Sequence, residues 1–270
     1  MTYTGPLKAV ILDWAGTTVD FGCFAPAVAF VETFKEAGVD ITVAEAREPM
    51  GAGKRDHIAA ILAMPRVAET WRKVSGAAPA EADIDALYKA FVPHQLSVIA
   101  EYAGLIDGTR DAIAEFRRRG LKVGATTGYN AEMMERLAAE ARKLGYDPDC
   151  SISMSDVPAG RPAPWMALAA AMRLGAYPMS ACVKVGDTVP DIEEGLNAGM
   201  WSVGVTSTGN EVGLTAAELA ALKPDARAAT IARAYDKLSA AGAHYVVDSI
   251  ADVPAVLDSI EERLSAGDRP

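Results

Sequence analysis

Asp13, Thr127 and Asp187 each stand where a short apolar run gives way to a polar turn: after Ala9-Val10-Ile11-Leu12, at the end of residues 121–127, and after Val183-Lys184-Val185-Gly186. Runs of that length bounded by Gly, Thr or Asp read as buried strands. A carboxylate in mid-strand would be costly to bury. At the carboxyl end it lies on the edge where open parallel sheets bind their ligands. Asp191 follows Asp187 by four residues, and Arg161 lies in the loop 156–162 beside a further candidate strand. Any one such aspartate is explained by helix capping. Asp13, Asp187 and Asp191 together with a backbone carbonyl make an all-oxygen site, which suits Mg²⁺ better than zinc or copper.

Lys54 is a second focus. Pro49-Met50-Gly51-Ala52-Gly53 interrupts the chain just before it, so Lys54 opens a helix with its ammonium near the positive end of the helix dipole. That position and burial both lower the pKa, and a free amine can attack a carbonyl to form a Schiff base. The plain alternative is a solvated lysine on a helix surface. His57, three residues on, shares its face and either relays protons or sits on that surface. Met50, Cys23 and Tyr129 are candidates to line a substrate pocket, with packing as the simpler role for each.

These residues need a scaffold that gathers them. Strands are expected at 9–12, 121–127, 151–154, 183–187, 202–205 and 245–247, with helices between them from residue 109 onward. Strands separated by helices imply right-handed crossovers, hence an α/β fold with a Rossmann-like, doubly wound parallel sheet. No strand is legible across 21–103. Phe24, Val28, Val31 and Phe34 recur at helical spacing, Thr42-Val43-Ala44-Glu45 is a capping box, Pro65 can start a helix ending near Gly76, and 80–103 reads as one long helix kinked at Pro93. The expected organisation is a core of residues 1–20 and 104–270 with an all-helical cap inserted at 21–103. The stretch 210–242 is the least informative.

The chain has 270 residues, 50% of them hydrophobic, enough for one large domain and a smaller one. A net charge of -10 argues against nucleic-acid or anionic-membrane partners. No apolar run approaches a membrane span, and residues 1–8 hold no signal-peptide core, so a cytoplasmic location is expected. Cys23, Cys150 and Cys182 are too few and scattered for a disulfide framework or zinc cluster.

The motifs resemble those of the haloacid dehalogenase superfamily of phosphotransferases: Asp13 in the first, Thr127 in the second, Arg161 in the third, and Gly186-Asp187-Thr188-Val189-Pro190-Asp191 in the fourth. The likeness implies that Asp13 is a nucleophile accepting a phosphoryl group, that Thr127 and Arg161 hold phosphoryl oxygens, that Asp187 binds Mg²⁺, and that the helical insert is a mobile cap. Phosphatases of this superfamily carry a general acid two residues after the nucleophile; here that residue is Ala15. Alanine cannot protonate a leaving group. An imine on Lys54 could replace that acid, drawing electrons out of a carbon–phosphorus bond next to an aldehyde.

Longer stretches are similar to the phosphonoacetaldehyde hydrolase family: Asp13-Trp14-Ala15-Gly16-Thr17-Thr18-Val19-Asp20, Gly22-Cys23-Phe24-Ala25-Pro26, Pro49-Met50-Gly51 with Lys54 and Asp56-His57, Thr126-Thr127-Gly128-Tyr129, 156–162, 184–188 and 197–201. This resemblance implies cleavage of phosphonoacetaldehyde to acetaldehyde and phosphate in phosphonate degradation. It further implies Lys54 as the imine lysine, the Ala15 carbonyl as a Mg²⁺ ligand beside Asp13 and Asp187, Gly128 at the phosphoryl site, and a homodimer joined through the caps. Two rival readings remain, a phosphomonoester phosphatase or mutase of the same superfamily, and a catalytically silent binding protein.

Overall fold

The computed structural model describes residues 3–270; the first two residues of the expected 1–20 segment lie outside them. Six strands form one parallel sheet: β1 Ala9–Asp13, β2 Lys122–Thr127, β3 Cys150–Ser153, β4 Cys182–Gly186, β5 Trp201–Val205 and β6 Tyr245–Val247. Their spatial order is β3-β2-β1-β4-β5-β6. The order reverses between β1 and β4, so a crevice opens there at the carboxyl edge, the point at which doubly wound sheets bind ligands. Asp13 ends β1 and Asp187 immediately follows β4.

Both faces of the sheet are covered, as a parallel sheet requires. The alternation of β1 shows it: Ala9 and Ile11 join a cluster with Met166, Ala167 and Ala170, while Val10 and Leu12 join a second with Ile113, Phe116 and Leu257.

Between β1 and β2 the chain is helical: α1 Phe24–Glu36, α2 Val43–Arg47, α3 Lys54–Ala63, α4 Pro65–Ser75 and α5 Glu81–Tyr102. Then follow α6 Thr109–Arg118, α7 Ala131–Lys143, α8 Trp165–Leu174, α9 Val189–Asn197, α10 Ala216–Ala221, α11 Pro224–Ala240 and α12 Val253–Ser265. The stops are chemical. Thr42 and Glu45 cap α2 reciprocally, Pro65 starts α4, and Gly76 closes it at φ 81°. α5 runs as one helix with Pro93 inside it.

Three details differ from expectation. Val28 is exposed, because α1 packs through Ala25, Ala29, Phe30 and Phe34 rather than along the stripe through Val28. Met154 lies in a 3-10 turn beyond β3, and Leu121 stands before β2, which begins at Lys122. The uninformative stretch 210–242 holds α10 and α11.

Candidate active site

Asp13 is 6% exposed and its Oδ1 accepts a hydrogen bond from Arg161 Nη2 at 2.7 Å. Arg161 is itself buried. It pairs through Nη1 with Asp191 Oδ1 at 2.9 Å, through Nε with Glu194 Oε2 at 2.9 Å, and through Nη2 with Thr126 Oγ1 at 2.7 Å. Lys184 Nζ lies 2.6 Å from Asp191 Oδ1 and 3.5 Å from Glu194 Oε2. A buried charge needs partners of this kind. The network locks the Arg161 side chain, leaving its Asp13 edge turned to the crevice.

Asp13, Asp187 and Asp191 each offer a carboxylate oxygen, and these oxygens lie within 4.8 Å of one another. Burial raises Asp13 to about 6 against the pull of Arg161, and burial with the nearby Asp13 and Asp191 charges raises Asp187 well above the usual carboxylate range. Burial acts on Asp191 too, but Arg161 and Lys184 outweigh it and hold that carboxyl down. Four buried carboxylates, those of Asp13, Asp187, Asp191 and Glu194, thus face three buried cations, Arg161, Lys184 and, across the crevice, Lys54. A divalent ion would supply the missing positive charge, and the all-oxygen donor set fits one. The Ala15 carbonyl accepts no hydrogen bond among the described residues, so it too is open to a cation. Asp191 differs: Lys184 and Arg161 engage Oδ1, and Thr188 Oγ1 donates to Oδ2 at 2.6 Å. Its oxygens are already committed to protein donors.

A narrow cavity of about 20 Å³ joins this edge to the helical insert. Asp13, Ala15, Thr127, Gly128, Tyr129, Arg161 and Asp187 line it from the sheet side, and Cys23, Met50 and Lys54 from the insert. Lys54 opens α3 and is only 6% exposed, its Nζ lying 5.3 Å from the Tyr129 ring centroid and 5.6 Å from that of Phe30. Burial lowers its pKa to about 8, although nearby Cys23 and Asp13 pull the other way. Burial, with the Asp187 and Asp20 charges, pushes the Cys23 thiol up, so it is neutral at pH 7. The Thr127 hydroxyl oxygen accepts from the Tyr129 N–H at 3.2 Å. Gly128 is required by space: a Cβ there would lie 2.6 Å from the Ala52 carbonyl oxygen of the insert.

His57 and Asp191 do not reach the cavity wall. The His57 ring is fully buried against Phe30, centroids 3.9 Å apart, with Nε2 2.8 Å from the Ala46 carbonyl oxygen. Burial and the Lys54 charge push its pKa well below normal, so it is neutral. A larger groove of about 530 Å³ beside the start of α6 is lined by Asp107, Arg110, Asp111 and Lys143 and includes none of the expected site residues.

Residues 7–199 match a family model described as haloacid dehalogenase-like hydrolase, and residues 158–253 a second, HAD-hydrolase-like one. A phosphonoacetaldehyde hydrolase from Nitratidesulfovibrio vulgaris is 52% identical, with 99% of this chain and 96% of the relative covered. One from Syntrophobacter fumaroxidans is 48% identical over 99% and 97%. The chain belongs to the phosphonoacetaldehyde hydrolase family. It is a hydrolase of the haloacid dehalogenase type. The crystal structure of a phosphonoacetaldehyde hydrolase-like protein from Oleispira antarctica superposes with a TM-score of 0.98 at 44% identity, covering 100% of this chain and 98% of that one.

Within this family member, several residues that hold the site had no assigned role in the sequence. Lys184 carried a signal, since a lysine inside a buried strand must find carboxylates. Glu194 carried another, standing three residues after Asp191 on one face of α9. Gln95 donates from α5 to the Tyr129 hydroxyl at 3.1 Å, and no local pattern marks it.

Proposed function

We propose that this enzyme cleaves the carbon–phosphorus bond of phosphonoacetaldehyde, giving acetaldehyde and phosphate, with Lys54 and Asp13 as its covalent centres. The free Lys54 amine attacks the aldehyde carbon and loses water to form a protonated imine. Asp13 attacks phosphorus, and the electrons of the breaking bond move into the iminium, leaving a neutral enamine on Lys54. Water hydrolyses the Asp13 acyl phosphate. Carbon protonation of the enamine and hydrolysis of the imine release acetaldehyde and restore the amine. One water is consumed overall.

Arg161 and Thr127, with Gly128, hold the phosphoryl oxygens in this reading, and the neutral Cys23, Met50 and Tyr129 exclude water from the imine. A divalent cation, proposed to be Mg²⁺, would be held by Asp13, Asp187 and the Ala15 carbonyl and would neutralise phosphoryl charge. Asp191 is assigned to orienting Arg161 and Lys184 rather than to direct ligation. His57 supports the Lys54 helix through Ala46, with no direct contact with substrate. Residues 1–20 and 104–270 would act as the core and 21–103 as the cap, with two chains pairing through their caps. No helix among the described residues is long and apolar enough to cross a membrane; a cytoplasmic location is part of the proposal.

One juxtaposition carries the reading: a buried lysine held down to about 8 shares a cavity with Asp13, beside Ala15 where a phosphatase needs an acid. The test compares phosphate release from phosphonoacetaldehyde and from p-nitrophenyl phosphate. Turnover of the first and background with the second is expected, with Lys54→Arg losing the first. The reverse preference, or full activity of Lys54→Arg, would overturn it.

A further inference from the structure

Asn210 lies beyond β5, outside every motif, yet touches both halves of the molecule. Its backbone N–H donates to Asp187 Oδ2 at 2.7 Å. Its side-chain Oδ1 accepts from Arg47 Nη1 at 3.1 Å, and its Nδ2 donates to the Arg47 carbonyl at 3.3 Å. Arg47 ends α2 in the helical insert. Its Nη1 also donates to the Gly22 carbonyl at 2.7 Å, where the insert leaves the sheet, and its guanidinium carbon stands 4.8 Å from the Phe24 ring centroid. The Asn210 loop is tied to the β1 loop as well, through Thr208 Oγ1 donating to the Gly16 carbonyl at 2.8 Å and the Gly22 N–H donating to the Thr208 carbonyl at 2.7 Å. Gly209 permits this approach, since a Cβ there would meet Asp187 Cβ at 2.5 Å.

The two oxygens of Asp187 are thereby made unequal. Oδ2 receives a short bond from a backbone amide, while Oδ1 receives only a 3.2 Å bond from Thr17 Oγ1. The group that decides which oxygen is committed sits in a loop gripped by the insert.

We infer that Arg47 and Asn210 are positioning residues that couple closure of the helical insert to the orientation of the metal-binding carboxylate Asp187. With Arg47 seated, the Asn210 amide holds Oδ2 and leaves Oδ1 for the cation; with the insert lifted, the loop loses its grip and the carboxylate its fixed orientation. Coupling of this kind is reciprocal, so the cation in turn favours closure. The inference rests on the proposed function only in taking Asp187 as a ligand of a divalent ion.

Mg²⁺ binding to the full chain is measured by isothermal titration calorimetry for the wild type, Arg47→Ala, Asn210→Ala and the double variant. Arg47 contacts no proposed metal ligand, so a loss there reports the coupling. Each single change is expected to weaken Mg²⁺ about tenfold, as loss of an outer partner of a metal ligand does. The double variant is expected to be no weaker than the worse single, and Arg47→Lys to recover part of the loss. Unchanged Mg²⁺ affinity in Arg47→Ala with a raised KM would reduce the pair to a clasp and overturn the inference, as would additive losses. Borohydride trapping of phosphonoacetaldehyde on Lys54, run on the wild type in parallel, tests the imine reading separately: its failure would leave the Mg²⁺ titrations standing.

Discussion

Lys54, the proposed imine lysine, opposes folding, because an ammonium between two aromatic rings loses its water. Burial holds it down to about 8. At pH 7 roughly a tenth is free amine, against well under a thousandth for an ordinary lysine. The rate of borohydride trapping should therefore climb from pH 6 and level off above about 8; a climb continuing toward 10 would contradict the burial argument. The same shift governs stability. The folded value is below the free-lysine value of 10.5, so between about 8 and 10.5 the unfolded chain binds more protons and stability rises with pH. Lys54→Met should be inactive yet melt no lower than the parent at pH 7, its advantage shrinking as pH rises across that window. An advantage that grew instead would contradict it. Asp13, Lys54, Arg161 and Asp187 were legible in the sequence because each follows from a local boundary, a strand end, a helix start or a loop. Asn210 and Gln95 were not, because their partners Arg47 and Tyr129 come from elements distant in sequence and meet them only in the fold.

Among the elements, turns chemistry made most boundaries readable: the Thr42–Glu45 box, Pro65, Gly76 and the strand-end acids lie where local backbone rules put them. The buried face of α1 was readable only in part, since Phe34 of the apolar stripe is buried and Val31 packs partly buried against the core, but Val28 is exposed. The helix packs on α5 through Phe30 and Phe34, while Ala27 meets Cys23 and Met50 at the cavity, so these phenylalanines and alanines rather than Val28 mark its inner side. Contacts between elements set the site's tolerance. The loop after β2 touches the insert so closely that Gly128→Ala would push on the Ala52 carbonyl, 2.6 Å from the new methyl. A misfit near 1 Å costs on the order of 100-fold in rate, so this variant should lose about that much kcat/KM. Its melting temperature should fall little, since the insert can shift outward; steady-state kinetics beside a thermal melt would check both. Retained kcat/KM would mean that the insert need not approach the strand ends.

In the whole molecule one apolar cluster runs from the sheet, through Met133, Met134 and Leu137 of α7, to Phe91 and Ile99 of α5 and Phe30 of α1. The insert is therefore seated on the core, and Lys54 and Asp13 line the cavity between them. Two such chains are proposed to pair through their caps, so sedimentation should give twice 28.3 kDa; a species at 28.3 kDa would contradict that pairing. The central claim is a division of labour, with the insert's amine activating the carbon side and the sheet's carboxylate receiving the phosphorus. Asp13→Ala separates the two. Peptide mapping of that variant after phosphonoacetaldehyde and borohydride should place a reduced adduct on Lys54 while no phosphate is released. A folded Asp13→Ala protein with no adduct at Lys54, or one that still releases phosphate, would contradict the account.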